Sequence, residues 1–106
     1  MSVLFVYITC PTPEEAAKIA AGMVEQRLAA CANILAPHQS VYWWEGKVQT
    51  GQEVAVIFKT RKTLFNALEK AICALHSYEC PCIVALPVEL GHAPFLQWIQ
   101  TETSDS

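Results

Sequence analysis

The sequence predicts an α+β sandwich of the ferredoxin-like, split-βαβ type, ordered βαββαβ with an added C-terminal helix. Three observations carry this. Stretches with strand character alternate with amphipathic helical stretches, in an order that right-handed crossovers convert into two helices on one face of an antiparallel sheet. Several of the strands are apolar on both faces. The chain has 106 residues and no repeat, linker or low-complexity stretch, so one domain is expected over residues 1–102, with 103–106 as a loose tail.

Val3-Leu4-Phe5-Val6-Tyr7-Ile8 is apolar at every position, as in a strand buried on both sides. Thr12-Pro13-Glu14-Glu15 then opens a helix, with Thr12 as N-cap, Pro13 at the first helical position and Glu15 closing a capping box. Ala16, Ile19, Ala20, Met23 and Val24 form its apolar stripe. Ala29 to Leu35 fits helix or strand by periodicity; Cys31, Ile34 and the following Pro37 favour strand. Ser40 to Trp44 is aromatic and β-branched, hence strand, with turns expected at Glu45-Gly46 and again at Thr50-Gly51. Glu53 to Thr60 alternates, placing Val54, Val56 and Phe58 on one face and Ala55, Ile57 and Lys59 on the other. A second helix, about Lys62 to Leu75, carries Leu64, Leu68, Ala71, Ile72 and Leu75 as its stripe. His76-Ser77-Tyr78-Glu79 reads as a polar loop, Ile83-Val84-Ala85-Leu86 as a strand interrupted by Pro87, and Pro94 as the start of a short helix with Phe95, Trp98 and Ile99 on one face.

Hydrophobic residues make up 53% of the chain and charged residues 16%. Ordinary soluble domains carry about 25% charged residues, so disorder is excluded for most of the chain. The net charge of −3 supplies no footprint for nucleic acid or for an anionic membrane. No apolar run approaches the ~20 residues of a spanning helix. The first basic residue, Lys18, stands behind Glu14 and Glu15, unlike a secretory leader, so the cytoplasm is the expected compartment. Cysteines stand at 10, 31, 73, 80 and 82; an odd number and a low density point to reduced thiols. With both main helices on one side, the other apolar sheet face needs cover, and a second copy of the chain is the economical one.

Cys80-Pro81-Cys82 is the first candidate for chemistry. In extended backbone the two thiols project to one side, where they can take a soft ion such as Cu(I), with His76 adding a nitrogen. The same pattern also fits two small buried thiols at a strand start. Cys10, in Thr9-Cys10-Pro11-Thr12, stands near a helix N-terminus, a setting that lowers a thiol pKa. His76, Tyr78 and Glu79 bring imidazole, phenol and carboxylate into one loop, suited to ligand binding or to acid–base work. Lys59-Thr60-Arg61-Lys62 is a basic cluster at the start of the second helix, and Tyr42-Trp43-Trp44 an aromatic patch suited to an interface.

Taken together, Leu28-Ala29-Ala30-Cys31-Ala32-Asn33-Ile34, Tyr42-Trp43-Trp44-Glu45-Gly46-Lys47-Val48, Phe58-Lys59-Thr60, His76-Ser77-Tyr78-Glu79-Cys80-Pro81 and Val84-Ala85-Leu86-Pro87 resemble the ordered motifs of the CutA divalent-cation-tolerance family. The resemblance runs from about Leu4 to Ile99. It implies a ferredoxin-like protomer in a tight homotrimer similar to PII signalling proteins, a link to copper and other divalent-metal tolerance, and no known reaction. It also implies a polar cleft between subunits, here Lys59, His76, Tyr78 and Glu79 with Trp44 nearby, and adds Cys31 to Cys80, Cys82 and His76 as candidate metal ligands. Two positions depart from the family pattern. Ser77 stands where proline is usual, which is expected to loosen the loop. Cys82 stands where glutamate is usual, exchanging a hard oxygen for a soft sulfur. The expected function is a trimeric metal-tolerance protein binding copper or another divalent or soft ion. The alternative is a small-anion or metabolite-binding signalling protein, or an enzyme, using the inter-subunit cleft.

Overall fold

The computed structural model describes residues 2–104. Its elements are β1 (Val3–Cys10), α1 (Pro13–Glu25), β2 (Cys31–Ile34), β3 (His38–Trp44), β4 (Lys47–Arg61), α2 (Phe65–Leu75, preceded by a 3-10 turn at Lys62–Leu64), β5 (Ile83–Val88) and α3 (Ala93–Glu102). The sheet runs β2-β4-β1-β5, with β3 also pairing with β4, and every pairing is antiparallel. This is the ferredoxin-like order, with the strand after α1 divided into β2 and β3 around Leu35-Ala36-Pro37.

Register decides which residues meet. Val6 stands opposite Phe58 and Ala85, and Ile8 opposite Val56 and Ile83. These side chains pack with Ile19 and Met23 of α1 and Leu68 and Ile72 of α2 into the main core. As the stripes predict, both helices lie on one face. The other face is covered at one end only, where Ile99 and Leu96 of α3 pack on Val3, Ala30 and Val88.

Several local expectations give way to the pairing. No turn forms at Thr50-Gly51, because β3 keeps hydrogen-bonded register through Val41↔Thr50 and Ser40↔Gly51. Pro87 does not interrupt β5: the strand lies on the sheet edge, where a missing N–H is tolerated, and Pro87 stands opposite Leu4. Thr12 caps α1, its hydroxyl accepting from the Glu15 N–H at 3.1 Å, but the Glu15 carboxylate turns to Ser77 instead of closing the box. Nor are Thr103 and Ser104 loose. Thr103 is buried and accepts from Arg61 Nε at 2.8 Å, and the Ser104 N–H donates to Arg27 O at 2.8 Å. Residues 105 and 106 of the expected tail lie outside the described residues.

At the opposite end, β3 and β4 continue as a two-stranded ribbon and draw the molecule out to 44 × 26 × 23 Å. Its tip is the Glu45-Gly46 turn, with φ of 51° and 79°, the type I′ geometry that matches strand twist. Glycine takes this conformation freely and glutamate does not. Glu45→Asn is therefore expected to stabilise the fold by roughly 0.5–1 kcal/mol, read as a higher urea midpoint with an unchanged m value.

Candidate functional site

Where the ribbon leaves the sheet, a cleft of about 580 Å³ opens between β3–β4 and the loop after α2. It is lined by Thr9, Ser40, Tyr42, Trp44, Glu53, Ser77, Tyr78, Glu79, Cys80 and Cys82. Strand alternation puts Ser40, Tyr42 and Trp44 on one ribbon face, and the register partner of His38 brings Glu53 onto that face. Tyr78 closes the other side, its hydroxyl donating to Glu53 Oε2 at 2.8 Å.

His76 holds this loop down. It caps α2 through its N–H to Ile72 O at 2.9 Å. Its buried ring contacts Thr9 O through Nε2 at 2.8 Å and accepts the Tyr78 N–H on Nδ1 at 3.1 Å. A carbonyl on one nitrogen and an N–H on the other assign the proton to Nε2. His76 is thus a structural pin rather than a ligand: both nitrogens are occupied, and it does not line the cleft. Ser77 does not loosen the loop either. Its N–H and hydroxyl both donate to Glu15 Oε2, at 2.9 and 3.0 Å, two bonds that a proline here cannot make.

The structure brings Trp44, Tyr78, Glu79, Cys80 and Cys82 to one cleft and leaves Lys59 and Cys31 out of it. Lys59 donates to Asn33 Oδ1 and lies 5.4 Å from the Phe5 ring centroid. It stands six residues from Glu53, about 20 Å along an extended strand. Cys31, its register partner on β2, shares that location. The lining contains no lysine, arginine or histidine, so within one chain the cleft is not equipped to hold an anion. Cys80 and Cys82 are exposed, not buried at a strand start; they precede β5, which begins at Ile83. No group of three or more His, Cys, Asp or Glu is placed to hold a metal ion among the described residues.

Glu53, Thr9 and Ser40 are lining residues outside the candidate sites read from the sequence, and Tyr42, read as interface packing, joins them. Glu53 had one visible signal: a carboxylate at the head of the apolar run Val54 to Phe58. Its charge reaches several neighbours. Partial desolvation in the cleft, then the bond to Glu53, pushes the Tyr78 phenol up, and partial desolvation, then the Glu53 charge, pushes the Cys82 thiol up. The Cys10 thiol is buried at the end of β1, not activated by α1. Desolvation, then the charges of Glu15 and Glu53, push it up to about 11.

The fold and its cleft define an α+β protein of the ferredoxin-like class with an acidic, aromatic and thiol-bearing recess at the root of a β-ribbon. The chain belongs to the CutA1 divalent ion tolerance protein family, which matches residues 4–102. It is 48% identical to the divalent-cation tolerance protein CutA of Archaeoglobus fulgidus, over 90% of this chain and 92% of that protein. It is 42% identical to the Oryza sativa subsp. japonica protein called CutA 1, chloroplastic, over 97% of this chain and 58% of that one, so it spans less than two thirds of the rice protein. The crystal structure of CutA1 from Oryza sativa superposes with a TM-score of 0.97 at 40% identity, covering 100% of this chain and 97% of that chain.

The Cys10 environment has a consequence for stability. A folded pKa above the unfolded value, roughly 8.5 for a free thiol, gives a contribution complete below that value and lost as pH climbs through about 11. Wild-type urea midpoints should fall between about pH 8 and pH 11, and those of Cys10→Ala should fall less steeply. Equal slopes would show that Cys10 does not contribute.

Proposed function

We propose that this protein is a metal-tolerance protein that takes up copper, as Cu(I), or a comparable soft ion at Cys80 and Cys82, acting by binding rather than by catalysis. The observation that carries the reading is the pair of accessible thiols sharing one recess with Glu53 and Glu79 and no basic side chain. Thiolates select soft ions, and hard cations need several converging oxygens. Two sulfurs suffice for a low-coordinate d¹⁰ ion. Binding displaces thiol protons, so affinity rises with pH. Reduced thiols also suit a cytoplasmic setting, and no helix among the described residues is long and apolar enough to cross a membrane.

The working unit we propose is a homotrimer with the cleft at a subunit boundary. Two sets of exposed apolar residues support it. On the uncovered sheet face, Val84 and Leu86 are 51% and 62% exposed; on the outer ribbon face, Val41 and Trp43 are 66% and 74% exposed. Burying each side chain contributes about 1.5–3 kcal/mol, enough in sum to make association permanent.

A Cu(I) competition titration under reducing conditions tests the metal reading. The wild type should bind, the Cys80→Ser, Cys82→Ser double variant should bind at least about tenfold more weakly, and Cys73→Ser should match the wild type. Equal affinities for the wild type and the double variant would remove this pair as the site.

A further inference from the structure

We propose that the same cleft is also a receptor for an organic ammonium cation, held by the rings of Tyr42, Trp44 and Tyr78 and by the carboxylates of Glu53 and Glu79. The inference uses the rings and carboxylates, not the thiols, and so stands apart from the metal reading.

Size comes first. A cavity of about 580 Å³ falls among small-molecule sites, which span roughly 300–1,000 Å³. A single metal ion at two thiols leaves most of that space, including the aromatic wall, without an occupant. The wall itself is selective. Three aromatic residues line one recess, and aromatic π-faces attract alkylated ammonium groups. Two of the three lie on β3 at alternate positions, Tyr42 and Trp44, with Gly51 opposite Ser40. Gly51 puts no side chain opposite Ser40, and a Cβ there would meet the Tyr42 hydroxyl in ordinary contact at 3.7 Å.

Charge points the same way. Glu53 holds the third ring through the Tyr78 hydroxyl at 2.8 Å, and among the described residues neither Glu53 nor Glu79 has a basic ion-pair partner. Lys47, the ribbon's one lysine or arginine, is the register partner of Trp44 and lies outside the lining. Within one chain nothing in the lining favours an anion. A neutral apolar molecule would use the rings but leave the carboxylates unanswered, whereas an ammonium cation uses both.

Isothermal titration of the metal-free, reduced full chain with choline, and with its neutral carbon isostere 3,3-dimethylbutan-1-ol at matched ionic strength, tests this. Choline should bind, with the isostere at least about tenfold weaker. Glu53→Gln, which keeps an acceptor for Tyr78, and Trp44→Leu should each weaken choline by about tenfold. Cys73→Ser, a thiol outside the lining, should bind choline like the wild type, and because the protein is metal-free the result does not depend on the metal reading. Should Trp44→Leu lose its thermal transition, the exposed Glu79→Gln substitution serves in its place. Equal binding of choline and isostere, no binding of choline at millimolar concentration, or unaltered binding by Glu53→Gln would overturn the proposal.

Discussion

The backbone ladder of β4 serves three partners at once: β1 on one side, and β2 and β3 in succession on the other. Fifteen residues, Lys47–Arg61, stay extended without a break. The inner part of the strand supplies Val54, Val56 and Phe58 to the core beneath the helices. The middle supplies Glu53 to the cleft, and the outer part is half of the ribbon that carries Tyr42 and Trp44. A turn at Thr50-Gly51 would detach the aromatic wall from the carboxylate. Continuity of this one strand therefore sets both the depth of the core and the geometry of the site.

The second wall of the cleft is held by polar contacts rather than by packing. Glu15 grips Ser77, His76 is fixed between Thr9 O and the Tyr78 N–H, and Tyr78 reaches Glu53. This chain joins α1, the end of α2, β1 and β4. The buried contact among them, His76 Nε2 to Thr9 O, is costly to break and fixes one conformation. A loop that begins as the C-cap of a helix is thereby docked onto the sheet with Cys80 and Cys82 facing the ribbon.

Local chemistry made much of the fold legible. Alternation located β4 and its inward face, Thr12-Pro13 located the start of α1, and Glu45-Gly46 located the hairpin tip. The failures all involve partners distant in sequence. Gly51 reads as a turn until β3 pairs with it, and Pro87 reads as a break until β5 proves to be an edge strand. His76 reads as part of a polar loop, yet two backbone partners, one of them 67 residues away, make it a buried pin. Lys59 shares β4 with Glu53 but lies about 20 Å along it, so a single chain does not bring it to the cleft. Tyr78, Glu79, Trp44, Cys80 and Cys82, which line one cleft, could be named from the sequence because each carries distinctive chemistry within a short motif. Glu53 was harder to see, because its role depends on which strand meets which loop.

The account treats the uncovered sheet face and the outer ribbon face as surfaces that copies of the same chain close, making the cleft a boundary between subunits. Sedimentation equilibrium of the reduced protein at low micromolar concentration tests this most directly. The account predicts a single species of three chains, with no dissociation on dilution. A monomer with Trp43 exposed in solution would contradict it.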